Sequence, residues 1–150
     1  MRALLVPLRL VAFSALVVAL LAPVAQAEPG TPPPNVAGTT GEPPPAWFTL
    51  GSRSGWFAYS SFCWTTTCVT FLSPARRTDL PNLVAKEGQT LRIHLAFAPK
   101  SVLVRVLATK RSYPLVATRD PSWRVRGSGV IIVEARGAKG SASYAARIVR

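Results

Sequence analysis

The sequence predicts an all-β fold, a small antiparallel sandwich of about seven strands. Apolar residues in the C-terminal part of the chain recur at every second position, which is the period of a strand that buries one face. No window keeps the 3.6-residue period of an amphipathic helix. Gly or Pro separates the apolar runs, as expected for turns between short strands. A small closed barrel is the alternative architecture.

The clearest strand is predicted over residues 90–97, where Arg92 and His94 alternate with apolar residues. Residues 102–106 repeat this alternation, and residues 129–136 are almost wholly apolar until Glu134. The next segment predicts a turn followed by a closing strand. Its sequence runs from Gly137-Ala138-Lys139-Gly140 to the apolar positions Tyr144, Ala146 and Ile148. Shorter strands are predicted over residues 56–64, 68–72 and 113–118.

The N-terminal residues 1–27 predict a secretory signal peptide. Arg9 precedes an apolar run over residues 10–22, Pro23 ends it, and Ala25-Gln26-Ala27 supplies small residues for cleavage after Ala27. The alternative is an uncleaved membrane anchor, but a membrane span requires about 20 apolar residues. We therefore expect a secreted or cell-envelope protein, extracellular or periplasmic, with no transmembrane span after cleavage.

Residues 28–46 predict a disordered, Pro- and Gly-rich spacer, and residues 47–150 predict the single β-sandwich domain. The spacer contains two proline triplets and no Lys or Arg. The two arginines of the signal peptide and the two glutamates of the spacer cancel, so the domain carries the whole formal net charge of +12.

The few Cys and His residues limit the chemistry. Cys63 and Cys68, an even pair in an exported chain, predict a disulfide that clips a tight turn. One His and a bridged Cys pair cannot supply the three or four ligands of a zinc site, so we expect no metal and no cofactor. His94 is the one imidazole that could act as a general base, and we expect it to be solvated on the polar face of its strand.

An aromatic cluster lies in the first predicted strand of the domain. Two readings are open: the rings pack in the core, which we favour, or one set forms an exposed platform that stacks on sugar rings or a partner. The candidate platform residues are Trp56, Phe57, Tyr59, Phe62 and Trp64.

Arginines dominate the positive charge, and those on predicted strands form a candidate basic patch. A field of this sign favours an anionic envelope polymer or a membrane surface. Nucleic acid meets the same electrostatic requirement, but export makes it an unexpected natural partner. The alternative is that 14 arginines reflect composition alone. The candidate patch residues are Arg105, Arg124, Arg126, Arg136 and Arg147.

Short motifs resemble a group of poorly characterised exported bacterial proteins. These proteins share a Ser-x-Cys-Trp element, found here as Ser61-Phe62-Cys63-Trp64 and followed by Cys68, and a closing hairpin similar to residues 140–145. The resemblance implies an immunoglobulin-like sandwich of the envelope or extracellular space, and it supplies no catalytic residues. Thr70 stands where family members often have an aspartate, which puts any ligand role of that position in doubt.

We therefore expect an exported, non-catalytic module that binds an envelope polymer or a protein partner. The alternative is a small secreted hydrolase or transferase that uses His94 with a serine. The two differ in one geometric feature: the enzyme requires His94 within hydrogen-bond reach of a hydroxyl or carboxylate in a cleft.

Overall fold

The computed structural model describes residues 41–150, which form the predicted all-β sandwich. The described part contains eleven strands and one short 3-10 turn, Pro74–Arg76. The strands are β1 (Ala46–Leu50), β2 (Arg53–Trp56), β3 (Ala58–Trp64), β4 (Thr67–Thr70), β5 (Asn82–Val84), β6 (Thr90–Leu95), β7 (Pro99–Val106), β8 (Arg111–Leu115), β9 (Ser122–Arg124), β10 (Gly129–Gly137) and β11 (Gly140–Val149).

The strands form two sheets. The small sheet has the order β2-β1-β6-β9, and the large sheet has the order β4-β3-β11-β10-β7-β8. All these neighbours are antiparallel, whereas β5 pairs with the end of β11 in parallel. No helix in the described residues has the length and apolar character needed to cross a membrane.

The structure has more strands than the sequence predicts. Three short strands show no clear sequence pattern, and one predicted strand is divided between the two sheets. β5 and β9 have three residues each, too few for a clear alternation, and β1 directly follows the run of prolines assigned to the spacer. The single strand predicted over residues 56–64 is divided at Phe57, whose N–H donates to the Ala46 carbonyl at 3.0 Å. β2 therefore pairs with β1 in the small sheet, while β3 belongs to the large sheet.

The core lies between the two sheets and is built from alternate residues of each strand. Leu91 and Ile93 of β6 are 0% exposed on the small sheet. Val104, Ile131 and Tyr144 are equally buried on the large sheet. Because burying an apolar side chain stabilises the fold by ~1.5–3 kcal/mol, these alternate positions determine which face of each strand points outward.

The disulfide clips the β3–β4 hairpin as predicted. Cys63 and Cys68 are directly opposite each other in the strand register, and their sulfur atoms are bonded. The buried Phe62 and Trp64 flank Cys63, so the bridge lies on the outer face of the large sheet. It therefore constrains the hairpin and leaves the core to hydrophobic packing.

The packed chain extends past the predicted domain boundary at residue 46. Pro43 is fully buried, and its carbonyl accepts a hydrogen bond of 2.6 Å from the Tyr59 hydroxyl. The Pro44 carbonyl accepts one of 2.7 Å from the Tyr144 hydroxyl. Two tyrosines thus hold the last prolines against the core. The predicted signal peptide and spacer residues 28–40 lie outside the described residues.

Residues 71–81 cross the outer face of the large sheet, and hydrogen bonds of Arg77 and Arg147 hold them there. Arg77 forms an ion pair of 2.6 Å with Asp79 and donates a hydrogen bond to the Tyr59 carbonyl. Beneath this segment, Leu80 packs against Val130 and Ala145. The segment therefore covers one half of this face.

Replacing Gly140 should destabilise the sandwich, because β11 begins in close contact with β3. A Cβ at Gly140 would lie 2.0 Å from the Cys63 carbonyl oxygen, and the glycine has a φ of +147°. We expect Gly140→Ala to lower the free energy of unfolding by about 2–3 kcal/mol, measured by urea denaturation. Gly88→Ala is the matched control, since Gly88 also has a positive φ but no atom within 4 Å of the added Cβ. Equal losses in both variants would contradict the close contact.

Alkaline pH should destabilise the protein through Tyr59 and Tyr144. Burial, with a smaller contribution from the charge of Glu42, raises the pKa of Tyr59 to about 12, and burial also raises the pKa of Tyr144. Their neutral forms are favoured in the folded state, so their contribution to stability is complete below pH 10 and decreases as the pH rises towards 12. We expect the free energy of unfolding to fall in this window, and Tyr144→Phe to show a smaller fall. An unchanged slope in that variant would contradict the assignment.

Candidate functional site

The outer face of the small sheet carries a row of basic residues. On β6, Arg92 and His94 alternate with the buried Leu91 and Ile93. On the neighbouring strand β9, Arg124 lies on the same face, next to the buried Trp123. The register of β6 and β9 thus brings residues that are distant in sequence to one surface.

A cleft lies at one edge of the sandwich, where β8 of the large sheet approaches β9 of the small sheet. The cleft has a volume of about 430 Å³, and Arg111, Arg124, Arg126 and Tyr113 are among its lining residues. The Arg126 guanidinium lies 5.4 Å from the centroid of the Tyr113 ring, a cation–π distance that orients the guanidinium. We call this site the arginine cleft.

The arginine cleft has a positive field. Its three arginines form none of the ion pairs found among residues 41–150. Glu87 is the one carboxylate that lines it, and its Oε2 atom accepts a hydrogen bond of 3.0 Å from Arg150. Since that carboxylate is paired elsewhere, the guanidinium groups remain available to an anionic ligand.

A buried donor lies next to this cleft. The Trp123 side chain is 4% exposed, and its ring centroid is 5.9 Å from that of Tyr113. Its indole N–H has no acceptor among the described residues. A buried donor left unpaired costs about 1–3 kcal/mol, so Trp123 is a place where an acceptor would stabilise the protein.

His94 is buried in a hydrogen-bond network, contrary to the expectation that it is solvated. It is 7% exposed; its Nδ1 atom lies 2.5 Å from Asp120 Oδ1, and its Nε2 atom lies 3.0 Å from Thr49 Oγ1. The Trp47 ring stacks on the imidazole with centroids 3.7 Å apart and planes inclined by 14°. We call Thr49, His94 and Asp120 the His94 network.

The loop before β9 explains why the sequence did not reveal this network. It runs beside β6, where Ile93 N–H donates to the Pro121 carbonyl at 2.9 Å and Leu95 N–H donates to the Arg119 carbonyl at 2.8 Å. These bonds place Asp120 next to His94. Asp120 is 26 positions away from His94 in sequence, so no local sequence pattern predicts the contact.

The arginine cleft adjoins the outer face of the small sheet, which carries the His94 network, through Arg124 of β9. A depression of about 350 Å³ beside His94 is lined in part by Arg92, Arg119 and Asp120. Arg92 lies opposite Ser122 on β9, two residues from Arg124, and so connects the depression to the cleft. We call Arg92, Arg119, Arg124 and Arg126 the arginine track.

The predicted basic patch is not one surface. Arg124 and Arg126 do lie together, but Arg105 and Arg136 are on strands of the large sheet. Arg105 is ion-paired with Glu134 at 2.6 Å, and Arg147 donates to the Arg77 carbonyl at 2.9 Å. The prediction fails because a strand's sequence does not show which sheet it joins. The predicted patch also omitted Arg92, Arg111 and Arg119, which line the arginine cleft or the depression beside His94.

The aromatic cluster packs mainly in the core, so the platform interpretation is wrong for its central rings. Phe57, Phe62 and Trp64 are 6%, 4% and 5% exposed, respectively. Tyr59 packs edge-on against Phe62 with ring centroids 5.6 Å apart. In a regular strand, residues three positions apart would point to opposite faces of the sheet. A register irregularity between β3 and β11 at Tyr144 explains this, because it breaks the strict alternation.

Trp56 is the one member of the predicted platform that belongs to the small sheet. It is half-buried and lies opposite Trp47 in the β1–β2 register. It therefore lies on the same face as the His94 network, away from the other four rings.

The outer face of the large sheet offers a different environment. Its depression of about 450 Å³ is lined by several serines together with Glu134 and Arg136. The Ser61 and Ser143 hydroxyls are 2.7 Å apart, and Glu134 is paired with Arg105. One carboxylate and one arginine line this depression, whereas two arginines accompany the one carboxylate, Asp120, in the depression beside His94.

Comparison with protein-family models, with characterised proteins and with solved structures returns no match. The resemblance to exported immunoglobulin-like proteins therefore stays a prediction. Within residues 41–150, no three His, Cys, Asp or Glu side chains converge in a way that could hold a metal ion.

Proposed function

We propose that this protein is an exported binding module that holds an anionic polymer of the cell envelope along the arginine track. The observation that carries the proposal is the arginine cleft, where Arg111, Arg124 and Arg126 line one cavity with Tyr113, and where the one lining carboxylate, Glu87, is paired with Arg150. The extracytoplasmic location and the immunoglobulin-like classification remain part of the proposal. They rest on the predicted signal peptide and on the motif resemblance.

The chemistry of the track supports an anionic ligand. A guanidinium is planar and permanently charged, and it can donate two parallel hydrogen bonds to a carboxylate or phosphate. In the cleft, Tyr113 adds an aromatic ring against which a sugar ring or an acyl group can pack. An anionic group entering the cleft would therefore gain both charge pairing and ring contact.

The spacing of the track supports a polymer over a small ion. Arg124 ends β9 and Arg126 follows it by two residues, and both line the arginine cleft, so the track presents more than one positive charge to a ligand. The track continues through Arg92 to Arg119 near His94. A chain with repeating anionic groups could contact several of these positions at once, which raises its affinity over that of a single anion.

A protein partner is less well supported. The large apolar side chains that are exposed among the described residues do not belong to the track. A protein-binding surface usually has an extended apolar or aromatic centre, whereas arginines define the track and Tyr113 is the one aromatic ring that lines the cleft. The exposed residues concerned are Phe71, Leu72, Val84 and Val116.

Removing charge from the track should weaken polymer binding. We expect Arg124→Gln with Arg126→Gln to raise the dissociation constant for soluble polygalacturonate or inorganic polyphosphate about tenfold, which corresponds to ~1.4 kcal/mol. The matched control is Arg53→Gln with Arg76→Gln, which removes the same charge from two exposed positions that do not line the cleft. Isothermal titration calorimetry at low and at physiological salt measures the dissociation constants of both double variants and of the unaltered protein.

Two results would contradict the proposal. Equal weakening in both double variants would show that net charge alone attracts the polymer. Binding by the unaltered protein that ignores salt would exclude an electrostatic mechanism, because exposed charges are screened as ionic strength rises.

A further inference from the structure

We propose that the His94 network is an acyl-transfer site that acts on carboxylic esters, such as an ester substituent of a hydroxylated polymer. This activity goes beyond polymer binding, and Arg92 is the one residue of the arginine track that it uses. The proposal differs from the enzyme considered from the sequence, because the hydroxyl partner of His94 is a threonine and a carboxylate joins the network.

The arrangement has the three parts that an activated hydroxyl nucleophile requires. Asp120 contacts Nδ1 of His94, and Thr49 contacts Nε2, so the imidazole lies between a carboxylate and a hydroxyl. This is the logic of an acid–imidazole–hydroxyl triad, which is recognised by geometry and not by order in the sequence. Trp47 stacks on the ring and restricts its rotation.

The direction of the hydrogen bonds follows from the chemistry of the groups. An ionised carboxylate can only accept, so Nδ1 of His94 donates its proton to Asp120. In the neutral imidazole, Nε2 then has a free lone pair, and the Thr49 hydroxyl donates to it. This is the tautomer in which His94 can remove the proton of Thr49.

Arg92 is placed to stabilise developing negative charge. It is the direct register partner of Thr49 between β1 and β6, and both lie on the outer face of the small sheet. Arg92, His94 and Asp120 line the same depression, and the Thr49 hydroxyl is connected to it through its hydrogen bond with His94. A cationic donor next to the attacked carbonyl can serve the role of an oxyanion hole.

The reaction has two balanced steps. In the first, His94 Nε2 takes the Thr49 proton, the Thr49 oxygen bonds to the ester carbonyl carbon, and the carbon–oxygen bond to the alcohol breaks. His94 returns the proton to the departing alcohol. In the second, water gives a proton to His94 and attacks the acyl-threonine, and the Thr49 oxygen leaves and takes that proton back. The products are the alcohol and the carboxylic acid.

The test uses 4-nitrophenyl acetate, a small uncharged ester whose reaction does not require polymer binding. With the unaltered protein, we expect release of 4-nitrophenol and an acetyl group on the peptide that contains Thr49, detected by mass spectrometry. Thr49→Ala should lose this adduct and lower kcat/KM about 100-fold or more. Thr49→Ser should keep the acetyl adduct and most of the ester hydrolysis. Asp120→Asn should lower kcat, because it removes the acceptor that selects the His94 tautomer.

Circular dichroism and the urea midpoint separate a catalytic role from a structural one. If Thr49→Ala remains folded and keeps the ester hydrolysis of the unaltered protein, the proposal is overturned and the network is structural. If Thr49→Ala fails to fold, Thr49→Ser and the site of acetylation decide the question. Acetylation at surface lysines alone would also overturn the proposal. None of these results depends on polymer binding, so the two proposals can fail separately.

Discussion

The burial of one face of β6 is the constraint on which the rest of the structure depends. Leu91 and Ile93 are completely buried between the sheets, and Arg92 and His94 must therefore lie on the outer face. A slip of one residue in the register would exchange these two sets and place a guanidinium in the core. Hydrophobic packing thus determines the position of the charged surface.

The candidate function arises where distant parts of the chain meet on this face. Backbone hydrogen bonds between β6 and the loop before β9 place Asp120 beside His94. At the other end of the face, Tyr113 of the large sheet contacts Trp123 of the small sheet, and the arginine cleft lies at this edge. Each site depends on pairing between strands, so a change that loosens the sandwich edge would affect ligand contacts before it affects the central core.

Local patterns predicted much of the fold, and contacts between distant segments account for the rest. The strict alternation of β6 and β7 and the close spacing of Cys63 and Cys68 are visible in the sequence, and the structure confirms both. The irregular register near Tyr144 is set by the pairing of two strands, so the burial of Tyr59 could not be read from alternation. Asp120, the carboxylate partner of His94, could not be predicted for the same reason, because it lies in a loop that is distant in sequence.

The most direct test of this account is a map of ligand contacts by nuclear magnetic resonance. The protein, labelled with ¹⁵N, is titrated with short polygalacturonate chains, and the shifts of backbone and arginine side-chain N–H signals are followed. Binding along the arginine track should change the signals of Arg92, Arg124 and Arg126, and leave those of Arg105 and Arg136 on the large sheet unchanged. Changes confined to the large sheet, or spread evenly over all arginines, would contradict it.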